Sequence, residues 1–257
     1  FGAVVKEGLY DEHAYRDQIC KVARFHSSEV ENMTTFGEYV ERMKEGQENI
    51  YYIFAPDIQG AKNSPQLEAF RAKGIEVLFM TDAIDEFWIP MQNDYMSKPI
   101  KSITKVSSEL SKFANKEGKA EEVKELSEED KKLEEYLIAQ LKLILEDEVK
   151  DVRFSERLVE SPVCLVAEDG DIDIRMQRML QKSQGYDSKH QHILEINKKH
   201  PIIIKMKDMV DKKPNSMELR DLAYLMLDQA RIVEGEPLKD PASFMRRMSE
   251  AVARGLS

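Results

Sequence analysis

The pattern of apolar and polar positions predicts alternating strands and helices in the first half of the chain. Residues 49–54 are β-branched and aromatic, which is typical of a buried strand. Apolar positions at helical spacing follow over 64–72, and 75–80 repeat the strand pattern. Because the two strands are joined by one short helix, we expect a parallel pair with a right-handed crossover.

Local signals extend this small α/β layer to residues 35–106. Thr35 is followed three positions later by Glu38, which is the spacing of a helix capping box. Residues 100–106 resemble a last strand, and the preceding segment 1–30 has apolar residues near helical spacing. We expect a helical segment followed by a layered subdomain.

A second domain begins after a stretch of Lys and Glu with almost no large apolar residue. An amphipathic helix is expected from Ser127 to Ile144, with Asp130 completing a weaker capping signal. Three strands are predicted at 149–155, 163–166 and 192–196, and four helices at 173–182, 201–211, 216–233 and 240–255. Asp240-Pro241 supplies a cap and a proline at the first position of the last helix.

The last two predicted helices have broad apolar faces. The residues on these faces are Leu222, Leu225, Met226, Gln229, Phe244, Met248 and Val252. Two helices alone cannot enclose faces this wide, so pairing with a second copy in a four-helix bundle is one solution. Packing of both faces onto their own domain is an equally good interpretation of the same pattern.

Composition excludes several classes of protein. The 257 residues are 42% hydrophobic and 33% charged, which is typical of a globular chain of one large or two modest domains. With 38 Lys and Arg against 48 Asp and Glu, the net charge of −10 disfavours nucleic-acid binding. No apolar run has the length of a membrane span, and Cys20 and Cys164 form no disulfide framework, which favours a reducing compartment. The first residue is Phe1, and no secretion signal precedes the first helix, so we interpret the chain as a piece of a longer protein.

A set of short segments extends over nearly the whole chain: Phe1-Gly2, Lys6-Glu7-Gly8-Leu9, Tyr39-Val40, Arg42-Met43-Lys44-Glu45-Gly46-Gln47, Ile50-Tyr51-Tyr52-Ile53, Asn63-Ser64-Pro65, Glu76-Val77-Leu78-Phe79-Met80, Ile84-Asp85-Glu86-Phe87, Arg157-Leu158, Ser161-Pro162, Leu194-Glu195-Ile196-Asn197 and His200-Pro201. These segments, in this order, resemble the heat shock protein 90 chaperones, in particular their bacterial members.

The resemblance implies an organisation and a function. Residues 1–112 would be the end of a middle domain, 113–126 a charged linker, and 127–257 an α+β dimerisation domain whose two last helices form an intermolecular four-helix bundle. The piece would homodimerise and bind non-native client proteins, with the DnaK chaperone system as a further partner. The resemblance also implies a slow ATPase that uses ATP and Mg²⁺ in the full-length protein, with the nucleotide site outside this piece, which would itself be no enzyme. A bacterial cytoplasm is expected, with a mitochondrial matrix as the alternative.

Two client-binding segments are predicted with the help of the resemblance. The helix 173–182 carries an apolar edge of Ile172, Met176, Met179 and Leu180, and the matching family helix offers its apolar residues to unfolded clients. Methionine suits this role because its flexible side chain adapts to many shapes. Phe87, Trp88 and Met91 form a second candidate patch, although aromatic residues near a loop are more often local core.

Other readings remain open but have weaker support. His190 and His192 lack a third metal ligand at suitable spacing, so a metal site is disfavoured. An enzyme site at the strand ends would use Asp82, Asp85 and Glu86, but no nucleophile or phosphate-binding loop accompanies them. A purely structural dimerisation module is the third alternative.

Overall fold

The computed structural model describes residues 2–105, 110, 113, 127–168, 171, 173–178 and 191–255. The chain divides into two compact units, Phe1–Lys119 and Ala120–Ser257. Apart from Phe113, the predicted linker 113–126 lies outside the described residues, so its boundaries stay a prediction.

The first unit contains six α-helices and five strands within the described residues. In chain order they are α1 (Gly2–Asp11), α2 (Arg16–Val22), β1 (His26–Ser27), α3 (Phe36–Arg42), β2 (Ile50–Phe54), α4 (Ile58–Lys62), α5 (Glu68–Lys73), β3 (Leu78–Met80), α6 (Asp85–Trp88), β4 (Asp94–Tyr95) and β5 (Lys98–Ser102). Short 3₁₀ helices at His13–Tyr15, Pro65–Leu67 and Ile89–Met91 join some of them.

The five strands form one sheet in the order β1-β3-β2-β5-β4. The predicted parallel pairing is confirmed, because Tyr52 lies opposite Leu78 in a parallel ladder of β2 and β3. Strand β5 also runs parallel to β2, whereas the sequence analysis missed the two-residue strands β1 and β4, which pair antiparallel at the two edges. Strands this short carry almost no periodic signal.

Strand β2 is buried along its whole length because both faces of the sheet are covered. Ile50, Tyr52 and Phe54 point into one apolar cluster, and Tyr51 and Ile53 point into another. This explains why the strand is uniformly apolar rather than alternating.

Local capping fixes the helix ends in this unit. The Thr35 hydroxyl accepts from the amide of Glu38, and the Glu38 carboxylate accepts from the Thr35 amide, so the predicted capping box is confirmed. The helix predicted over 64–72 begins at Ser64 as a 3₁₀ turn and becomes α-helical only from Glu68. Gly74 ends it in the left-handed conformation, with φ of 60°.

The second unit places a three-stranded sheet among helices. Its described elements are α7 (Glu128–Ile144), β6 (Asp151–Phe154), β7 (Val163–Val166), α8 (174–178), β8 (Ile193–Ile196), α9 (Pro201–Lys212), α10 (Met217–Glu234) and α11 (Pro241–Gly255). The sheet order is β6-β8-β7, with β6 parallel and β7 antiparallel to β8. The protein is therefore mixed α+β, as predicted.

One apolar core organises this unit. It joins α7, the sheet, α9 and α10, and its members include Leu141, Val152, Leu194, Met206 and Leu227. Helix α11 is different, because none of its residues is buried. Across the described part of the chain, no helix is both long enough and apolar enough to cross a membrane.

Candidate functional site

Helix α10 directs most of its predicted interface residues into its own unit. Leu225 and Met226 are buried in the core of the second unit, and Leu222 packs partly against that core. In the single chain, Leu225 and Met226 are therefore covered by their own unit, and their assignment to a dimer interface stays a prediction. Gln229 is exposed on the same helix, together with Ile232 and Val233, which the sequence analysis had not selected.

Helix α11 exposes an apolar face in the single chain. Phe244 and Ala251 pack partly on the core, whereas Met245, Met248 and Val252 are 59%, 42% and 53% exposed. Helical spacing places the last three side by side, and we call them the C-terminal apolar face. Met245 was missed by the sequence analysis because it lies outside the strict stripe of Phe244, Met248 and Val252.

The connection between α10 and α11 is well defined by local contacts. Gly235 ends α10 with φ of 73°, and the Asp240 carboxylate accepts from the amide of Ser243 at 2.9 Å, which confirms the predicted cap of α11. The side-chain and backbone hydrogen bonds with Ser243 hold the pKa of Asp240 below its ordinary value. Lys239 donates to Glu148, which also accepts from Arg231 at 2.6 Å.

The predicted patch in the first unit is only partly a surface. Phe87 and Met91 are exposed, but Trp88 is completely buried and donates from Nε1 to Asp85 at 2.9 Å. Trp88 is therefore a core residue in the single chain, and its assignment as a contact for clients stays a prediction. The ring of Tyr10 meets that of Phe87 edge-on, with centroids 6.0 Å apart.

Tyr10, Phe87 and Met91 thus form what we call the aromatic patch. Arg16 lies beside it, with Nη2 at 3.8 Å from the sulfur of Met91. Sequence reasoning missed Tyr10, because helix α1 and helix α6 are far apart along the chain and no local pattern indicates their contact.

Two of the three carboxylates considered for an enzyme site, Asp82 and Asp85, are engaged by one buried lysine. Lys6 donates to Asp82 at 2.7 Å and to Asp85 at 3.0 Å, and its ammonium lies 4.5 Å from the centre of the Phe25 ring. Burial raises the pKa of Asp85, while Lys6 and Trp88 oppose this shift. Asp85 accepts from three donors, and its side chain is completely buried, which is typical of a structural carboxylate.

The predicted client helix is described only in its first turns. Over 174–178, Ile174 and Gln177 are buried and Met176 is partly buried. Ile172, Met179 and Leu180 lie outside the described residues, so their roles stay predictions. His190 is also outside, whereas His192 lies 3.2 Å from Glu236 in an ion-pair geometry.

The two cysteines are buried in different units. Burial raises the pKa of the Cys20 thiol to about 11, with Asp17 adding to the shift. A protonated, enclosed thiol is a poor nucleophile. Cys164 lies on β7, on the side of the small cluster with Leu158 and Val166.

The geometry defines a class of protein: a two-unit α+β chain with a C-terminal helix whose apolar face is uncovered. The family described as Hsp90 protein matches residues 1–257, the whole chain. The chain therefore belongs to the Hsp90 family, as the resemblance predicted.

Bacterial relatives agree over the same length. The chaperone protein HtpG of Paramagnetospirillum magneticum is 43% identical over 263 residues, which cover 100% of this chain and 41% of that protein. The HtpG proteins of Roseobacter denitrificans and Wolbachia pipientis are 42% and 37% identical, covering 100% and 99% of this chain and 41% and 40% of their own lengths. The chain thus spans about two fifths of the length of these curated relatives.

Proposed function

We propose that the chain is the dimerising and client-binding part of an Hsp90-family chaperone. The observation that carries the proposal is α11, which buries none of its residues while its C-terminal apolar face is exposed. Exposed large apolar side chains that are grouped together mark an interaction surface. A second copy of the chain offers the same face, and pairing of α10 and α11 with their copies would give a four-helix bundle.

Dimerisation is tested by light scattering on chromatographed protein. The wild-type chain should have twice the chain mass of 29.7 kDa at micromolar concentration. Met248→Glu places a charge on the C-terminal apolar face and should give monomers with unchanged helical circular dichroism. Ala253→Glu adds the same charge at an exposed position of α11 outside the C-terminal apolar face and should stay dimeric. A wild-type chain with single mass at all concentrations would refute the proposal.

Client binding is proposed for the aromatic patch and for the helix that begins at 174–178. Phe87 and Met91 are both exposed: Phe87 offers a rigid apolar ring and Met91 a flexible apolar side chain. Met176 has the same flexible side chain, which proteins that bind many partners use. Weak contacts from two copies would add through avidity. We retain Met179, Leu180 and Ile172 as proposed contacts on the same helix.

The client proposal is tested by anisotropy of fluorescently labelled, reduced α-lactalbumin, which is permanently unfolded. The paired change Phe87→Ser with Met91→Ser should weaken binding about tenfold, the loss of two apolar contacts. Met217→Ser is the matched control, because Met217 is a strongly exposed methionine at the start of α10. If the wild-type dimer binds no unfolded protein, the chain is a structural dimerisation module.

The activity of the whole protein extends beyond these residues. ATP hydrolysis with Mg²⁺ is proposed for the full-length protein, and none of its steps is assigned to a residue described above. A bacterial cytoplasmic location and cooperation with a DnaK chaperone system are likewise proposed from the bacterial relatives.

A further inference from the structure

Contacts with the rest of the second unit must hold helix α11 in place, because none of its residues is buried. An exposed helix of this length is marginal in water unless tertiary contacts hold it. Phe244 and Ala251 supply part of the contact with α10. Two arginines of α11, Arg247 and Arg254, add ion-pair contacts with α10.

Arg247 packs against three residues of α10, namely Asp221, Tyr224 and Asp228. Its guanidinium carbon lies 4.5 Å from the centre of the Tyr224 ring, which is the geometry of a cation–π contact. Its Nε is 3.4 Å from Asp221, and its Nη1 is 4.0 Å from Asp228. The side chain of Arg247 is only 18% exposed, although it belongs to a helix without buried residues.

The spacing of these three residues explains why they lie together on one face of α10. Asp221, Tyr224 and Asp228 follow each other at three and four positions, which places an aromatic ring between two carboxylates on one face of α10. The planar guanidinium stacks on the ring and lies at ion-pair distance from both acids, although its buried Nε makes no hydrogen bond within the described residues. A lysine ammonium stacks on a ring less well. A second link, between Arg254 and Glu218 at 3.5 Å, is solvent-exposed and contributes little.

We propose that Arg247 is a positioning residue for dimerisation: it clamps α11 onto the Asp221–Tyr224–Asp228 face of α10 and so preforms the C-terminal apolar face that a second copy binds. This inference rests on the proposed dimerisation. The C-terminal apolar face lies on a different side of α11 from Arg247, so the clamp acts through the orientation of the helix.

The expected effect follows from the fraction of chains with α11 in place. In a symmetric dimer, α11 must be in place on both copies. The apparent dissociation constant of the dimer therefore rises with the inverse square of the fraction of chains with α11 in place. If α11 is in place in only about one third of the chains, the dissociation constant rises about tenfold.

The experiment measures the dimer dissociation constant of the whole chain by sedimentation equilibrium. Arg247→Gln should raise it about tenfold, the size expected for losing a partly buried cation–π contact and its ion pairs. Arg246→Gln is the matched control: Arg246 is the adjacent arginine, is exposed, and makes no ion pair with any residue that the structure describes. It should leave the constant unchanged, and Arg247→Lys should give an intermediate value.

A second variant separates clamping from a general loss of stability. Tyr224→Leu should weaken the dimer as Arg247→Gln does, while Tyr224→Phe, which keeps the ring, should not. The double variant Tyr224→Leu with Arg247→Gln should be no weaker than either single variant, because both remove the same contact. Additive losses, or Arg247→Gln and Arg246→Gln variants with equal constants, would overturn the inference, whereas a monomeric wild-type chain would refute the proposed dimerisation itself.

Discussion

Lys6 is the residue whose replacement tests the packing of the first unit most directly. Its side chain is 2% exposed and that of Asp85 is 0% exposed, so Lys6→Met leaves a carboxylate without its counter-ion inside the protein. Methionine keeps the length of the aliphatic stem, which limits the effect of a cavity. The change therefore isolates the charge.

The magnitude follows from the burial of the pair. At 3.0 Å the Coulomb attraction of Lys6 and Asp85 is about 5 kcal/mol at an effective dielectric constant near 20. Removing one partner of a buried pair costs about 3–5 kcal/mol because the other charge stays desolvated. Adding Asp85→Asn removes that stranded charge, so the double variant should be more stable than Lys6→Met alone.

Unfolding in urea provides the assay, because Trp88 is the only tryptophan and donates a hydrogen bond to Asp85. Its fluorescence therefore reports on the first unit. Lys21→Met, at an exposed position of α2, serves as the control and should change the free energy of unfolding by less than about 0.5 kcal/mol.

The pH dependence of the free energy of unfolding tests the effect of the same buried charge independently. Burial already raises the pKa of Asp85, and removal of Lys6 should raise it further. Protonation of Asp85 then relieves the stranded charge, so the deficit of Lys6→Met should shrink as the pH is lowered from 7. A loss below about 1 kcal/mol at pH 7, or a double variant that is weaker than both single variants, would refute the reasoning.

Two further predictions concern a strained turn and a charged contact. Met96 and Ser97 have φ of 51° and 61° at the tip of the β4–β5 hairpin. The double change Met96→Asn with Ser97→Gly should therefore raise the free energy of unfolding of the first unit by about 1 kcal/mol in the same urea assay. An unchanged free energy of unfolding would show that this turn is not strained. Burial acts to raise the pKa of Glu148, but hydrogen bonds from Lys239 and Arg231 hold it below its ordinary value of 4.5. Its contribution is thus present above pH 4.5 and lost as the pH falls through the lower, folded-state pKa. The Glu148→Gln variant should unfold about 1 kcal/mol more easily than the wild type at pH 7. The difference should shrink as the pH falls below 4.5, and a difference independent of pH would contradict the reasoning.

Much of the local structure could be predicted because its causes lie within a few residues. The capping box at Thr35, the left-handed end at Gly74 and the cap at Asp240 each depend on one side chain and the backbone beside it. The parallel pairing of β2 and β3 also followed from the length of their connection.

The candidate surfaces were harder to predict, since exposure depends on what lies opposite. Phe87 and Trp88 are neighbours of similar chemistry, yet one is exposed and the other is enclosed by contacts with Phe25 and Phe36. Leu225 and Met248 both belonged to apolar stripes, and only the packing of the second unit decides that Leu225 is core.

The sequence by itself determined the family, the mixed α+β class and the ends of several helices, because these follow from motifs, periodicity and short-range hydrogen bonds. The tertiary structure alone decided which apolar side chains remain uncovered, that Tyr10 joins Phe87, and that Arg247 stacks on Tyr224. The physical reason is that burial and charge pairing arise between elements distant along the chain, whose distances and orientations no local pattern encodes.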